Sequence, residues 1–327
     1  MALHAIDDVS DAFSATTAFL LPFELRRWAK LAVVALFLGG GLSLPTLQAN
    51  APANVDESAG VGAPSLPPDA VPIVVAVVAA VVLVGVAYSV VGAIMEFVFV
   101  ESLRTEAVTL RRHWSRRWRQ GLRLFGFRLA IGLPVLALVA GWIGLLAAPA
   151  LFESVDPLVP AVTLFLIGIP LVLLVGLLYA LVASLTTVFV VPIMIETDGG
   201  VLASWRRLWA SIRAHPKQYL AYVAVGLVLT IAAGFLASLV VGIVAAILFI
   251  PFAILGVVVY LTLSLSSTVG LVILGAAGAL FVVSVVTLWL FVQVPVVTYL
   301  RYYALLVLGD VEAPLDLVSD RRTAVRE

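Results

Sequence analysis

From Tyr219 to Leu300 the chain runs for 82 residues without an Asp, Glu, Lys or Arg. No water-soluble fold surrounds a run of that length, because too few polar residues remain to cover it. The whole chain of 327 residues has the same bias, being 63% hydrophobic and 12% charged. An ordinary soluble domain carries about 45–50% apolar and about 25% charged residues. With a mean hydropathy of +1.18 and no cysteine, the chain is neither disordered nor a disulfide scaffold, and thiolate chemistry is excluded. The class that remains is an all-α, polytopic transmembrane helical bundle.

Charge placement predicts the topology. The stretches Leu31–Val55 and Val71–Met95 are uncharged and hold one span each, at roughly 20 apolar residues per crossing. Leu129–Ile195 is interrupted only by Glu153 and Asp156, beside Pro157, and predicts a pair of spans joined by a tight turn. All 19 Lys and Arg lie at Arg26–Lys30, Arg104–Arg128, Arg206–Lys217, Arg301 and Arg321–Arg326, whereas residues 49–70 and 153–158 have none. Cations mark the cytoplasmic side, so both termini are expected there and the number of crossings is even. Six spans follow, two of them in Tyr219–Leu300. The surplus of that last stretch is assigned to a short outer-leaflet helix over Phe252–Leu263, bounded by Pro251 and by Leu263-Ser264-Leu265-Ser266-Ser267-Thr268. The chain is taken as one integral membrane domain over 1–327, with an interfacial segment at 1–30, a flexible outer loop at 49–70, a basic amphipathic inner segment at 101–128 and a cytoplasmic tail at 309–327. Asp7, Asp8 and Asp11 stand where a signal peptide has its cations, so none is expected.

An amphipathic stretch precedes each outward span. The first has Ile6, Val9, Phe13 and Leu20 at helical spacing, followed by Arg26-Arg27-Trp28. In the second, Leu103, Ala107, Leu110, Trp114, Trp118, Leu122 and Phe125 form one stripe, and Arg112, Arg116, Arg119 and Arg123 fall opposite it. The third sets Val201, Trp205, Leu208 and Ile212 against Arg206, Arg207 and Arg213. Such helices lie in the headgroup plane. The chain thus divides into three copies of interfacial helix, span, outer turn and span.

Two sets of residues carry a resemblance. The stretch Val191-Pro192-Ile193-Met194-Ile195-Glu196-Thr197-Asp198-Gly199-Gly200-Val201-Leu202-Ala203-Ser204-Trp205-Arg206-Arg207-Leu208-Trp209 resembles the inner-loop signature of a broad group of six-span proteins, which includes the membrane domain fused to some glycerophosphodiester phosphodiesterases. Ala15-Thr16-Thr17-Ala18-Phe19-Leu20-Leu21-Pro22-Phe23 and Arg301-Tyr302-Tyr303-Ala304-Leu305-Leu306-Val307-Leu308-Gly309-Asp310 resemble a family of uncharacterised haloarchaeal membrane proteins over nearly the whole chain. The resemblance implies six spans and a cell-membrane location. It implies no activity, and no catalytic residue carries over.

Glu96 is the acid of most interest, at the end of an otherwise uncharged span and just over one helical turn before Glu101. It is either a functional carboxylate inside the bundle or half of an ion pair with an Arg of a neighbouring interfacial helix, and the ion pair is the expectation. Arg112, Arg116, Arg119 and Arg123, with Trp114 and Trp118, are candidate contacts for anionic lipid headgroups on the cytoplasmic side; lipid beside the segment makes nucleic acid the poorer partner. Glu196 and Asp198 are expected in a turn before a helix N-terminus. Arg301 with Tyr302 and Tyr303 is expected as an interfacial anchor. Gly234, Ser238, Gly242 and Ala246 form a small-residue ladder expected to pack against another span.

His4, His113 and His215 lack ligand spacing, and no GxSxG, HExxH or Walker A pattern occurs, so neither a cofactor nor a metal is expected. The residues leave two functions open: a non-enzymatic membrane scaffold or lipid-associated module, which is favoured, and a small transporter or channel using Glu96 in a cavity. Mid-span polar residues are few (Tyr88, Ser89, Tyr179, Ser184, Ser284, Thr287 and Gln293), whereas transport ordinarily needs them near the midplane. The topology predicts that an impermeant maleimide labels Ala59→Cys in intact cells and leaves Ser211→Cys unlabelled; the reverse pattern refutes it.

Overall fold

The computed structural model describes residues 4–38, 71–151, 162–263 and 267–327. The elements are α1 (His4–Leu20), α2 (Leu25–Leu38), α3 (Val71–Arg104), α4 (Leu110–Leu151), α5 (Leu164–Thr197), α6 (Val201–Ala214), α7 (Pro216–Thr262), α8 (Thr268–Val311) and α9 (Ser319–Arg326), with a 3₁₀ turn at Ala313–Leu315. No strand occurs among the described residues. Five helices, α3, α4, α5, α7 and α8, are long and apolar enough to cross a membrane. At most 6% of the apolar window of any of them is buried, which suits hydrocarbon as the surrounding solvent. Of the first expected span only the part within α2 is described. The rest of it, the loop at 49–70 and the turn carrying Glu153 and Asp156 lie outside the described residues.

Proline decides where the amphipathic stretches separate from the helices that follow. Pro22 lies between α1 and α2, and Pro216 begins α7 after α6. No proline occurs between Leu110 and Leu129, so the basic stretch and the apolar stretch make one continuous α4 of 42 residues. This corrects the expectation of one amphipathic helix along the stripe from Leu103 to Phe125. Residues 101–104 end α3, Glu106 takes a left-handed φ of 54°, and the basic helix starts only at Leu110.

A second correction concerns Phe252–Leu263, which is not a separate outer helix. It continues α7, whose 47 residues run through Pro251 and extend about 70 Å at 1.5 Å per residue. A proline removes a single amide donor, and the turns on either side hold the helix together.

Two other prolines act on backbone geometry. Pro170 and Pro192 in α5 each follow a five-residue π-turn, at Leu164–Gly168 and Thr186–Val190. A proline ring collides with the carbonyl four residues back and offers no N–H, and the widened turn accommodates both defects.

The described residues form two compact units. The first comprises residues 1–21, 96–230 and 299–327 and holds the larger core, with Phe97, Leu103, Leu124, Phe189, Ile193, Met194, Leu208, Tyr302 and Leu305 all buried. Tyr302 meets Phe19 edge-on at 5.9 Å, and Tyr222 lies between Tyr303 at 5.4 Å and Phe189 at 4.7 Å. The second comprises residues 22–95 and 231–298. There Trp28 stacks on Phe291, Phe37 packs on Tyr88, and Phe281 contacts both Phe249 and Phe252.

Burial revises several expectations. Arg301, Tyr302 and Tyr303 are core residues, not an interfacial anchor. On α1 the buried face is Asp8, Ala12, Ala15, Thr16 and Phe19, while Ile6 and Phe13 point outward. The ladder of Gly234, Ser238, Gly242 and Ala246 is exposed, and no atom stands within 4 Å of a Cβ built on either glycine. Ser211 is buried and bonded to the Tyr219 hydroxyl at 2.9 Å, so the exposed Ala210 is the better labelling position.

At Gly168 the packing is exact, because a Cβ there meets the Trp142 ring at 2.8 Å. Gly168→Ala is expected to cost about 1–3 kcal/mol through forced repacking, whereas Gly176→Ala, in open space, costs nothing. Thermal unfolding of the two variants in the same detergent compares them directly.

Candidate functional site: a buried ion network

Unit 1 buries two carboxylates five residues apart on α3, Glu96 and Glu101, each 4% exposed. A bare carboxylate in an apolar core costs several kcal/mol, so each must be met by cations and donors in place. Glu96 is met from two directions. Arg301 on α8 donates from Nη2 to its Oε2, and Arg128 on α4 donates from Nη2 to its Oε1 at 3.3 Å. Arg128 also donates to the Thr187 hydroxyl at 2.7 Å. The Arg301 guanidinium stands 5.9 Å from the Phe99 ring centroid.

The π-turn of α5 supplies the remaining acceptor. Val191 N–H bonds to Thr186 O, five residues back. Thr187 O has therefore lost its usual α-helical donor, and the next candidate, residue 192, is proline. Arg301 Nη1 fills the vacancy with a 2.5 Å hydrogen bond to Thr187 O. One guanidinium thus neutralises Glu96 and caps a carbonyl that the α5 backbone leaves open. On the neighbouring residue, Trp205 Nε1 of α6 donates to Thr186 Oγ1 at 3.1 Å.

Glu101 has a matching arrangement. Arg117, itself 4% exposed, donates to Glu101 Oε2 at 3.1 Å, to Asp198 Oδ1 at 2.9 Å and to Gln120 Oε1 at 3.1 Å. Gln120 Nε2 donates to Met194 O at 3.2 Å and Asp198 Oδ1 at 3.3 Å. Asp198 ends α5 in the left-handed region with φ 47°, a conformation that costs an L-residue energy. Its side-chain bonds to α4 offset that strain, and the following Gly199-Gly200 lets α6 begin at once. Glu196, expected in the same turn, forms a half-exposed pair with Arg104 at 3.6 Å.

The basic part of α4 therefore has two faces. Arg112, Arg116, Arg119 and Arg123 are exposed, as is Trp118, with Trp114 half-buried. Arg119 stands 5.5 Å over the Trp118 ring, and on α6 Arg213 stands 5.4 Å over Trp209. The face turned into the core is polar: His113, Arg117, Gln120 and Arg128, with Leu124 among them. Sequence reasoning did not single out Arg117, Gln120 or Arg128. The detectable signal was their spacing, since 113, 117, 120, 124 and 128 fall on one helical stripe.

Several mid-span polar groups have partners of their own. The hydroxyls of Ser89, Ser284 and Thr287 bond to the carbonyl four residues back in their own helices, and Tyr179 lies against Gly132. No cluster of three or more metal-ligating side chains exists among the described residues.

Removing one partner of such a network leaves a buried charge. Glu96→Gln is expected to cost about 3–5 kcal/mol by stranding Arg301 and Arg128. The triple replacement Glu96→Leu, Arg128→Met, Arg301→Met recovers part of that loss. Thermal unfolding reads both, and a fully stable Glu96→Gln protein contradicts the account.

Residues 3–318 match the model of a family of unknown function, DUF7544. No curated protein and no solved structure matches the chain.

Proposed function

We propose that this chain, which belongs to that family of unknown function, is a non-enzymatic multi-pass membrane protein. In this reading it crosses six times with both termini in the cytoplasm, and it organises anionic lipid through a cationic face. The observation that carries the reading is the division of arginines on α4. Arg117 and Arg128 are consumed by buried acids, while Arg112, Arg116, Arg119 and Arg123 remain exposed beside Trp118. Exposed arginine next to exposed tryptophan is the chemistry of a headgroup boundary, where the ring sits among the headgroups and the guanidinium meets phosphate. The competing reading, a transporter using Glu96, needs a carboxylate facing water. Its two arginine partners and its burial argue for a structural carboxylate instead.

The test compares full-length protein in mixed micelles of phosphatidylglycerol or phosphatidylcholine. Phosphatidylglycerol is expected to raise the unfolding temperature more, and added salt to shrink the difference. Changing Arg112, Arg116, Arg119 and Arg123 to Gln removes most of the difference, at roughly 1 kcal/mol per cation near an anionic surface. Equal stabilisation by the two lipids, or a quadruple variant indistinguishable from the parent, overturns the proposal. Proton- or ion-dependent flux in reconstituted vesicles, abolished by Glu96→Gln but retained by Arg116→Gln, would favour the transporter.

A further inference from the structure

Three elements of unit 1 meet around a second charge cluster that the lipid reading does not use. α1 contributes Asp8 and Asp11, the end of α8 contributes Asp310, and α9 contributes Arg322 and Arg326. Arg326 bridges all three acids: Nη2 stands 2.7 Å from Asp8 Oδ1 and 2.7 Å from Asp310 Oδ2, and Nε 2.8 Å from Asp11 Oδ2. Arg322 is shared between Asp310, at 2.5 Å, and Asp316. Four carboxyls thus face two guanidiniums. Asp8 is fully buried, its Oδ2 meets no N–H or O–H donor among the described residues, and it shares Arg326 Nη2 with Asp310. Among the described residues, the Tyr299 and Tyr303 phenols of α8 also lie near this part of α1.

We propose that one proton, held between the Asp8 and Asp310 carboxyls, latches α9 onto α1, and that its loss to water on alkalinisation releases α9. With the proton present, Asp8 Oδ2–H donates to the Asp310 carboxylate, and three carboxylates rather than four face the two guanidiniums of Arg322 and Arg326. Without it, two adjacent carboxylates repel each other inside a desolvated pocket. Burial first, and Asp310 second, push the Asp8 carboxyl up from 3.8 to about 7. A carboxyl whose folded value lies above its unfolded value favours the folded arrangement at low pH. Its contribution is complete below 3.8 and is lost as the pH climbs to about 7. Asp8 lies on α1, outside the five helices apolar enough to span, so water supplies and removes the proton. The latch also reaches α4, because Arg321 of α9 pairs at 2.5 Å with Glu106, in the turn immediately before the arginine-bearing helix. The proposal does not depend on the lipid role.

The chain has no cysteine, which allows site-specific spin labelling. Nitroxides at the exposed positions Ser14→Cys and Ala324→Cys, in full-length protein in detergent, report the α1–α9 distance by pulsed electron paramagnetic resonance. At about pH 5 a single narrow distance is expected. At about pH 8.5 a longer, broader population appears, raising the open-to-closed ratio at least about tenfold, the factor supplied by one unit of displaced titration. Asp8→Asn, which keeps a donor toward Asp310 without a titratable proton, is expected to stay closed at both values. Arg326→Gln is expected to be open at both. A distance independent of pH, or an Asp8→Asn protein with the parent's transition, overturns the latch. Should Asp8→Asn fail to fold, Asp310→Asn removes the repulsion from the other side and must move the transition to lower pH; an unmoved midpoint also overturns it.

Discussion

A carboxylate inside an apolar core has to be neutralised where it stands, and Glu96 imposes that requirement on unit 1. Its two oxygens bring Arg301 from α8 and Arg128 from α4 onto the end of α3. Glu101, little more than a turn further on, brings Arg117. Four helices are thereby fixed in register by directional, charge-assisted hydrogen bonds. Apolar contacts are less directional and constrain that register less. Whether the network stabilises more than a well-packed apolar core of equal volume is a separate matter, since buried ion pairs often only break even. What it supplies here is a single allowed arrangement of α3, α4, α5 and α8.

The π-turn of α5 belongs to the same device. Pro192 withholds an amide hydrogen, the turn before it widens, and Thr187 O is left open for Arg301. A backbone irregularity in one helix thus becomes the docking point for a side chain of another. On a regular helix that carbonyl would already hold a backbone N–H; here both of its lone pairs are open to Arg301. The left-handed Asp198 plays a parallel part at the end of α5, where Arg117 and Gln120 hold it.

Two kinds of arginine stand side by side on α4, and the distinction bears on function. Those turned inward are spent on structure. Those turned outward, together with Trp118, form a face that packing has left free. The same inversion occurs on α1, where Asp8 is buried and Ile6 and Phe13 are exposed. Apolar residues outside and bonded polar residues inside are the arrangement that a hydrocarbon or headgroup environment rewards, because burying paired charge in protein costs less than leaving it in lipid.

The sequence by itself determined the helical class and the long apolar helices, because hydropathy acts locally. It also marked Glu96 as the acid to explain and an arginine as its partner. Which arginines, and from which helices, only the tertiary structure decided. Arg128 and Arg301 lie 32 and 205 residues away from Glu96, and no periodicity encodes a contact at that separation. The sequence misassigned Arg301, Tyr302 and Tyr303 to an interface, because an aromatic and cationic cluster at a span's end has the same composition buried or exposed. It read a break into Pro251 because a proline's missing donor is a local fact, while the continuity of α7 depends on the turns around it. Burial is a property of the assembled helices, and the inward polar stripe of α4 became visible only once they had assembled.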